Sequence, residues 1–370
     1  MDFAFSAEQD EFRLVVARFV EERWPITESR ALFEAGEEVR PDVWKQMAGE
    51  LGLQGLAVPE ADGGQGFSFL ELGIVFEEFG RTLAGGPYFA SVALAAELLR
   101  ELDGDNAREW LGQIAAGDLL ATVALPSATR LPDPDEVCAT LDDQGRVSGR
   151  FDYVISGASA DLVLAPVRAG EEIVLVAVRS GARGLVATPI ELLDGTRRQA
   201  ALVLDDVPSE RVADAAAAWP ALARAVDRAT IALAAEMLGG AARCLEMAVE
   251  YAKQRVQFAR PIGSFQAVKH RAAEVLLELE SARGVAYWSW WVAAQPQSTD
   301  RELAEAASIA KSACAEAYLC AAEASVQIHG GIGFTWEADP HLYYRRAQSS
   351  ARLLGDATAH RARLADQLGL

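Results

Sequence analysis

The sequence predicts an α+β chain of three successive units: helices, then a small β-domain, then a helical bundle. Two observations carry this prediction. The apolar period is helical at both ends of the chain but falls to two, or to short apolar runs, between about residues 118 and 212. At 370 residues the chain is also too long for one hydrophobic core, because single cores stop growing near ~250–300 residues. The expected units are residues 1–117, 118–212 and 213–370.

Within the first unit, Phe12, Val15, Val16, Phe19 and Val20 recur at helical spacing with Glu11, Arg18 and Glu22 between them, and Ser6 is placed to start that helix. The period fails around Leu51–Glu60, and the Gly63-Gly64-Gln65-Gly66 cluster predicts a long turn. Helical patterns resume over Phe69–Phe79 and Ala93–Leu102. In the second unit, the apolar runs 120–125, 162–167, 173–178 and 200–204 are bounded by Asp, Gly, Pro and Ser, which predicts strands of a small antiparallel sandwich or barrel. In the third, two long helices over Ala229–Arg255 and Leu303–Ile328 carry Ala, Gly, Ser and Cys on their inner stripes, as closely packed bundle helices require. A last helix is expected over Ala357–Leu368.

Charge and composition exclude several function classes. Asp and Glu total 54 against 34 Lys and Arg, a net charge of −20, so the chain is expected to repel nucleic acid and anionic lipid unless it carries a local basic patch. No uncharged apolar run reaches the ~18–20 residues of a membrane helix, and the start of the sequence lacks the basic-then-apolar pattern of a signal peptide. A soluble, cytoplasmic protein is expected. Cys138, Cys244, Cys314 and Cys320 form no CxxC pair and no metal-ligand spacing, so they are expected to be small buried hydrophobes and no metal is expected.

Two segments carry chemistry. In Tyr251–Gln266 a long helix ends near Arg255, a loop carries Gln257 and Phe258, and Gln266 opens the next helix. An Arg at a helix end beside a following helix N-terminus suits a phosphate, because charge, forked donors and free backbone N–H groups converge. In Val326–Thr335, Gly330, Gly331 and Gly333 follow a helix, so they permit a C-cap and close backbone approach to a ligand. Each segment alone also reads as an ordinary helix–helix loop or a helix terminator.

Together, in the order YAxxRxxF, FQ, QxxGGxGF and a tail helix, these segments resemble the acyl-CoA dehydrogenase family. The stretch Gly52–Gly66, with Glu71 and Glu77–Arg81 behind it, resembles that family's first domain, and the likeness spans essentially the whole chain. It implies α,β-dehydrogenation of an acyl-CoA thioester: a carboxylate takes the α-proton and the β-hydrogen leaves as hydride to the N5 of FAD. It also implies that FAD spans a dimer interface, with the ring on one subunit's β-domain and the ADP half on the other's bundle. Arg255 and Phe258 then fall on the pyrophosphate-contacting loop, and Gln257 takes a position that often holds Thr or Ser. Gln266 falls on the loop-closing Gln, while Gln327, Gly330 and Gly331, with Gly333 behind them, fall on the second cofactor segment.

Elsewhere the sequence departs from the family. The flavin-ring strand and loop, usually Thr-Glu-Pro followed by Ser-Asp, read Ala124-Leu-Pro-Ser-Ala-Thr-Arg130, and the paired Trp-Ile-Thr segment reads Tyr153-Val-Ile-Ser156. The Glu of the tail turn, the family's base, is replaced by Leu354, followed by Gly355 and Asp356. Other members place the Glu on the long helix, at a position aligned near Ala229. Asp227 lies about 200° round that helix from Ala229, and Glu236 lies roughly 10 Å further along. Asp356 is expected to cap the last helix, and His329 and His360 to be surface or loop groups.

The pattern resembles the non-catalytic subunit of α2β2 acyl-CoA dehydrogenases of steroid side-chain degradation. The implied partners are a homologous catalytic subunit, an acyl-CoA and an electron-transfer flavoprotein. Two alternatives stand beside it: a self-sufficient homotetrameric dehydrogenase using Asp356 as base, and a non-enzymatic scaffold that has kept only the fold.

Overall fold

The computed structural model describes residues 5–370. The first helix, α1 (Ala7–Arg23), starts on a capping box in which the Ser6 hydroxyl accepts from Gln9 N and the Gln9 side chain accepts from Ser6 N. α2 (Ile26–Ala35) ends on Gly36, whose φ of 77° gives it a left-handed cap. α3 (Pro41–Gly49) follows, and after the glycine-rich turn α4 (Phe69–Thr82) opens on a second capping box, Ser68 with Glu71. The segment expected to be helical from Ala93 begins earlier, as a π-helical stretch Phe89–Ala96, and continues into α5 (Glu97–Arg100). α6 (Asp105–Ala115) closes the unit.

The middle region holds β1 (Ala121–Val123), β2 (Thr140–Leu141), β3 (Arg146–Ile155), β4 (Leu162–Ala169), β5 (Glu172–Arg179), β6 (Leu185–Pro189), β7 (Gln199–Pro208) and β8 (Glu210–Ala213). They form one sheet in the order β6-β7-β3-β2-β4-β5-β8, with β1 added beside β4. It is not purely antiparallel. β1 and β2 both run parallel to β4, Ala121 opposite Leu162 and Thr140 opposite Arg168. The chain therefore leaves the sheet after β1 and rejoins it further along β4, which throws residues 124–139 out as one long loop. A core of its own, including Val147, Phe151, Val163, Val176 and Leu202, lies inside the sheet.

The last region is built on α7 (Ala215–Gln254), about 60 Å long at ~1.5 Å per residue. A two-strand ribbon, β9 (Val256–Gln257) and β10 (Arg260–Pro261), leads into α8 (Gln266–Ala294), α9 (Asp300–His329), α10 (Pro340–Arg352) and α11 (Ala357–Leu368). Glycines let α4 and α7 cross backbone to backbone. A Cβ on Gly239 would lie 1.8 Å from Glu77 O, and one on Gly80 would lie 2.0 Å from Glu236 O. The first and last helical regions consequently share one continuous core. Cys244 and Cys314 are buried as expected, but Cys138 is exposed because it rides on the long 124–139 loop, and Cys320 is partly exposed.

Candidate active site

The two glycine- and arginine-bearing segments, far apart in sequence, meet in space. Tyr251, one turn before the end of α7, stacks on His329 at the end of α9, with ring centroids 4.3 Å apart. Arg255 is the C-cap of α7 and donates its N–H to Tyr251 O at 2.8 Å. In the ribbon Gln257 pairs with Arg260. Phe258 and Ala259, at φ 54° and 62°, make the two-residue left-handed turn that such ribbons favour. Ile262 N donates to Arg255 O at 2.8 Å and closes the loop. Gln266 is the first residue of α8, and its side chain meets His270 Nε2 at 2.8 Å. Gln327 is exposed on the last turn of α9, and Gly330, at φ 66°, caps it. His329 is half-buried rather than a surface group: Nδ1 contacts Ser325 O at 2.7 Å, and burial lowers its pKa.

This face fits the nucleotide half of FAD. Among the described residues, the side chains of Arg255, Gln257 and Gln327 have no hydrogen-bond or ion-pair partner, in a chain rich in carboxylates. A Cβ on Gly330 or Gly331 would meet nothing within 4 Å, so the backbone there is open to a ligand. Phe258, 87% exposed, and Phe334, 68% exposed, stand out beside these residues, together with Val256, Ile332 and Trp336. Arg260 lies over the Phe265 ring at 4.1 Å, which fixes a further guanidinium on the same face.

The ring-side region does not fit. Leu354 is 0% exposed, sits at φ 57°, and donates its N–H to Ala128 O at 2.8 Å. The tail turn is thereby sewn onto the 124–139 loop, with the Gly355 backbone against Leu131. His360, expected to be a surface or loop group, lies in α11 and is fully buried beneath this turn: Nε2 contacts Leu354 O at 2.9 Å and Nδ1 contacts Ser308 Oγ at 3.1 Å. Burial pushes its pKa down to about 4, so it is a neutral tether. Asp356 caps α11, as its position predicts, by accepting from Ala359 N at 2.8 Å.

Both remaining carboxylates are paired with guanidinium groups. Glu236 receives the Arg197 guanidinium at 2.6 Å and that of Arg346 at 2.7 Å, and Arg346 also meets Asp194 at 3.0 Å. Burial would raise the Glu236 carboxyl, but the two guanidiniums outweigh it and hold it low. Around Arg197, Glu236 and the rings of Phe79, Tyr88 and Phe89 only about 10 Å³ of space remains, no more than one water needs. Asp227 is held by both Nη atoms of Arg363.

One group of this region escaped the sequence reading. Lys311, on the small-residue stripe of α9, is 0% exposed and donates to Ser350 O, Ala351 O and Gly355 O at 3.0, 3.0 and 2.9 Å. Its local signal was a single lysine between small residues, Ala310 and Ser312, on a helix otherwise built for close packing. The Arg197–Glu236–Arg346 cluster left no local signal, because its members come from three distant segments.

Among the described residues, no helix is long and apolar enough to cross a membrane, and no cluster of three metal-ligating side chains is present. Residues 6–118 match the acyl-CoA dehydrogenase N-terminal domain and residues 217–369 the acyl-CoA dehydrogenase C-terminal domain. Acyl-CoA dehydrogenase IpdE2 of Mycobacterium tuberculosis is 33% identical over 355 residues, covering 94% of this chain and 93% of that protein. Among solved structures, a chain of the ChsE4–ChsE5 complex from Mycobacterium tuberculosis superposes with a TM-score of 0.89 at 27% identity, over 100% of this chain and 99% of that one. A variant of the Tcur3481–Tcur3483 steroid ACAD superposes with a TM-score of 0.86 at 29% identity, over 98% of each chain. With a relative above 30% identity along nearly its whole length and domain matches at both ends, the chain belongs to the acyl-CoA dehydrogenase family, oxidoreductases that act on acyl-CoA.

Proposed function

We propose that this chain is the cofactor-completing, base-less subunit of a hetero-oligomeric acyl-CoA dehydrogenase. It lends Arg255, Gln257, Phe258, Gln266, Gln327, Gly330 and Gly331 to the ADP half of an FAD whose ring sits on a homologous partner. One contrast carries the reading: the nucleotide-side segments meet, with the side chains of Arg255, Gln257 and Gln327 unpartnered among the described residues, whereas Leu354 at the base position is sealed inside. FAD, when bound, would accept the β-hydrogen of the acyl-CoA as hydride. The work of this chain is to hold the pyrophosphate with Arg255 and backbone N–H groups, and to cover it with Phe258 and Phe334. The α-proton falls to a carboxylate of the partner, in an α2β2 assembly that passes electrons to an electron-transfer flavoprotein. The likeness to a steroid ACAD supports a bulky, steroid-type acyl group.

Arg255→Ala in the co-purified complex tests the assignment. Losing a charge-assisted phosphate contact costs ~1.5–3 kcal/mol, so flavin content, read from its absorbance after gel filtration, should fall roughly tenfold or more at limiting FAD. Flavin content unchanged from wild type would refute it. The homotetrameric alternative needs Asp356 as base, but that carboxylate is committed to the cap of α11.

A further inference from the structure

The ends of α7 and α9 carry Arg255 and the Gly330–Gly331 backbone, and each segment folds back on its own helix. Ile262 N returns to Arg255 O, and a Cβ on Gly263 would lie 3.0 Å from Ala252 O, so the loop after Arg255 packs on the last turn of α7. A Cβ on Gly333 would lie 3.0 Å from Val326 O and 3.1 Å from His329 Cβ, so the turn after Gly330 packs on the last turn of α9. Last turns fray, because their carbonyls lack intrahelical partners. A ring pair joins the two ends: Tyr251 and His329 stack with centroids 4.3 Å apart and planes 24° from parallel. The His329 ring is fixed within that stack. Ser325 O can only accept, so its contact with Nδ1 at 2.7 Å puts the proton on Nδ1. Burial lowers the pKa of the ring, which is therefore uncharged at neutral pH and leaves Nε2 as a lone-pair acceptor. Tyr251 faces it from α7, and the charged group that bears on it is Asp339, itself held by Arg30 at 2.6 Å.

We propose that Tyr251 and His329 form a proton-sensitive clasp that sets the spacing between the Arg255 loop and the Gly330–Gly331 backbone, so that both reach one nucleotide at once. They are positioning residues, and neither needs to touch the ligand. The inference rests on the nucleotide-binding reading above and adds what holds its two halves in register. A stacked pair suits this work better than an ion pair. Contact between ring planes fixes the distance, and it leaves the Arg255 fork and the backbone N–H groups unspent for a phosphate. With Nδ1 already protonated, a further proton enters at Nε2. That proton places a cation on the Tyr251 ring and a positive charge on the residue that precedes Gly330. Uptake of the proton and binding of a pyrophosphate therefore favour each other, since coupling between two sites is reciprocal.

The test measures FAD affinity in the co-purified complex at pH 8 and pH 5.5, from the flavin fluorescence released on dilution. At pH 8, Tyr251→Leu and His329→Leu should each weaken binding by about 2- to 10-fold, the range for one lost aromatic pair, and the double variant by no more than the stronger single. His329→Phe keeps the stack and should stay within ~2-fold of wild type at that pH. Its pH profile separates the clasp from ordinary packing: from pH 8 to pH 5.5 wild type should tighten by ~3-fold or more relative to His329→Phe, which has no proton to take up. The proposal is overturned if folded Tyr251→Leu and His329→Leu hold FAD as wild type does, or if their losses simply add. A pH profile shared by wild type and His329→Phe overturns it as well, even where the leucine variants fail to fold. Should Arg255→Ala strip flavin while folded Tyr251→Leu changes nothing, the nucleotide reading stands and the clasp falls; should Arg255→Ala also keep its flavin, both fall.

Discussion

Lys311→Met is the sharpest probe of the tail turn. The ammonium has no carboxylate against it; three carbonyls at 2.9–3.0 Å take its three protons. Burial pushes its pKa down to about 7, against about 10.4 for a free lysine. The sign follows from linkage. Between pH 7 and pH 10 the unfolded chain binds a proton that the folded chain has released, so stability rises with pH across that window. It is fully present above the unfolded pKa and lost as pH falls through 7. One pKa unit corresponds to ~1.4 kcal/mol, so wild type should gain about 2 to 3 kcal/mol from pH 7 to pH 9 through this amine alone. Methionine fills the same volume and does not titrate. The assay is urea unfolding of both proteins at pH 6, 7, 8 and 9, followed by tryptophan fluorescence. At pH 6 the two should lie closest, because there the wild type bears the buried charge while the variant leaves three carbonyls unpaired. The wild-type advantage should then grow with pH. A difference that stays flat from pH 6 to pH 9 would refute the depressed amine.

Two further outcomes follow from the same region. Asp356→Ala removes the cap of α11 and should cost ~1 kcal/mol in unfolding free energy, while the turnover of the assembled complex stays within twofold; a loss of several hundredfold would make Asp356 the base after all. Glu236→Gln removes the carboxylate shared by Arg197 and Arg346, leaving Asp194 as their remaining buried counter-charge, and should destabilise the chain by ~3–5 kcal/mol, seen as a lowered melting temperature.

The legible parts of this molecule were those written locally. The end of α7, the start of α8 at Gln266, the extent of α11 and the Asp356 cap follow from caps, glycines and period, and the structure reproduces them. Long-range placement was not legible. Nothing near Thr140 says that β2 runs parallel to β4, because that pairing depends on where a long loop returns. His360 reads as a polar residue on a terminal helix, yet it is buried because the tail turn folds back over it. Glu38 sits among exposed glutamates in the sequence, and only Gly86, Gly195 and Arg198, each more than forty residues away, reveal that its loop is drawn inward. The residues proposed for the nucleotide side were easier to read, since two short motifs carry them. Their convergence depends on Tyr251 and His329, whose stacking neither motif spells out.

The interior charge cluster bears on how this chain keeps its shape. Apolar side chains would fill the space around Glu236 at lower desolvation cost, and replacing a buried ion pair in that way is often neutral or stabilising. What Arg197, Glu236, Arg346 and Asp194 add is direction. Each guanidinium fixes a fork of donors, and together they hold the segment before β7, the middle of α7 and the body of α10 at set distances. α7 runs straight from that clamp to Arg255, so a shift of the helix along its axis would carry the Arg255 loop with it. Placement within a fraction of an ångström matters for a residue that must meet a ligand seated on another subunit. On this argument the charges that occupy the interior and the open nucleotide face belong to one design, and Glu236→Gln should loosen the second by releasing the first. Hydrogen exchange at the α7 C-terminus, 250–255, should then quicken in that variant; unchanged protection there would separate the two.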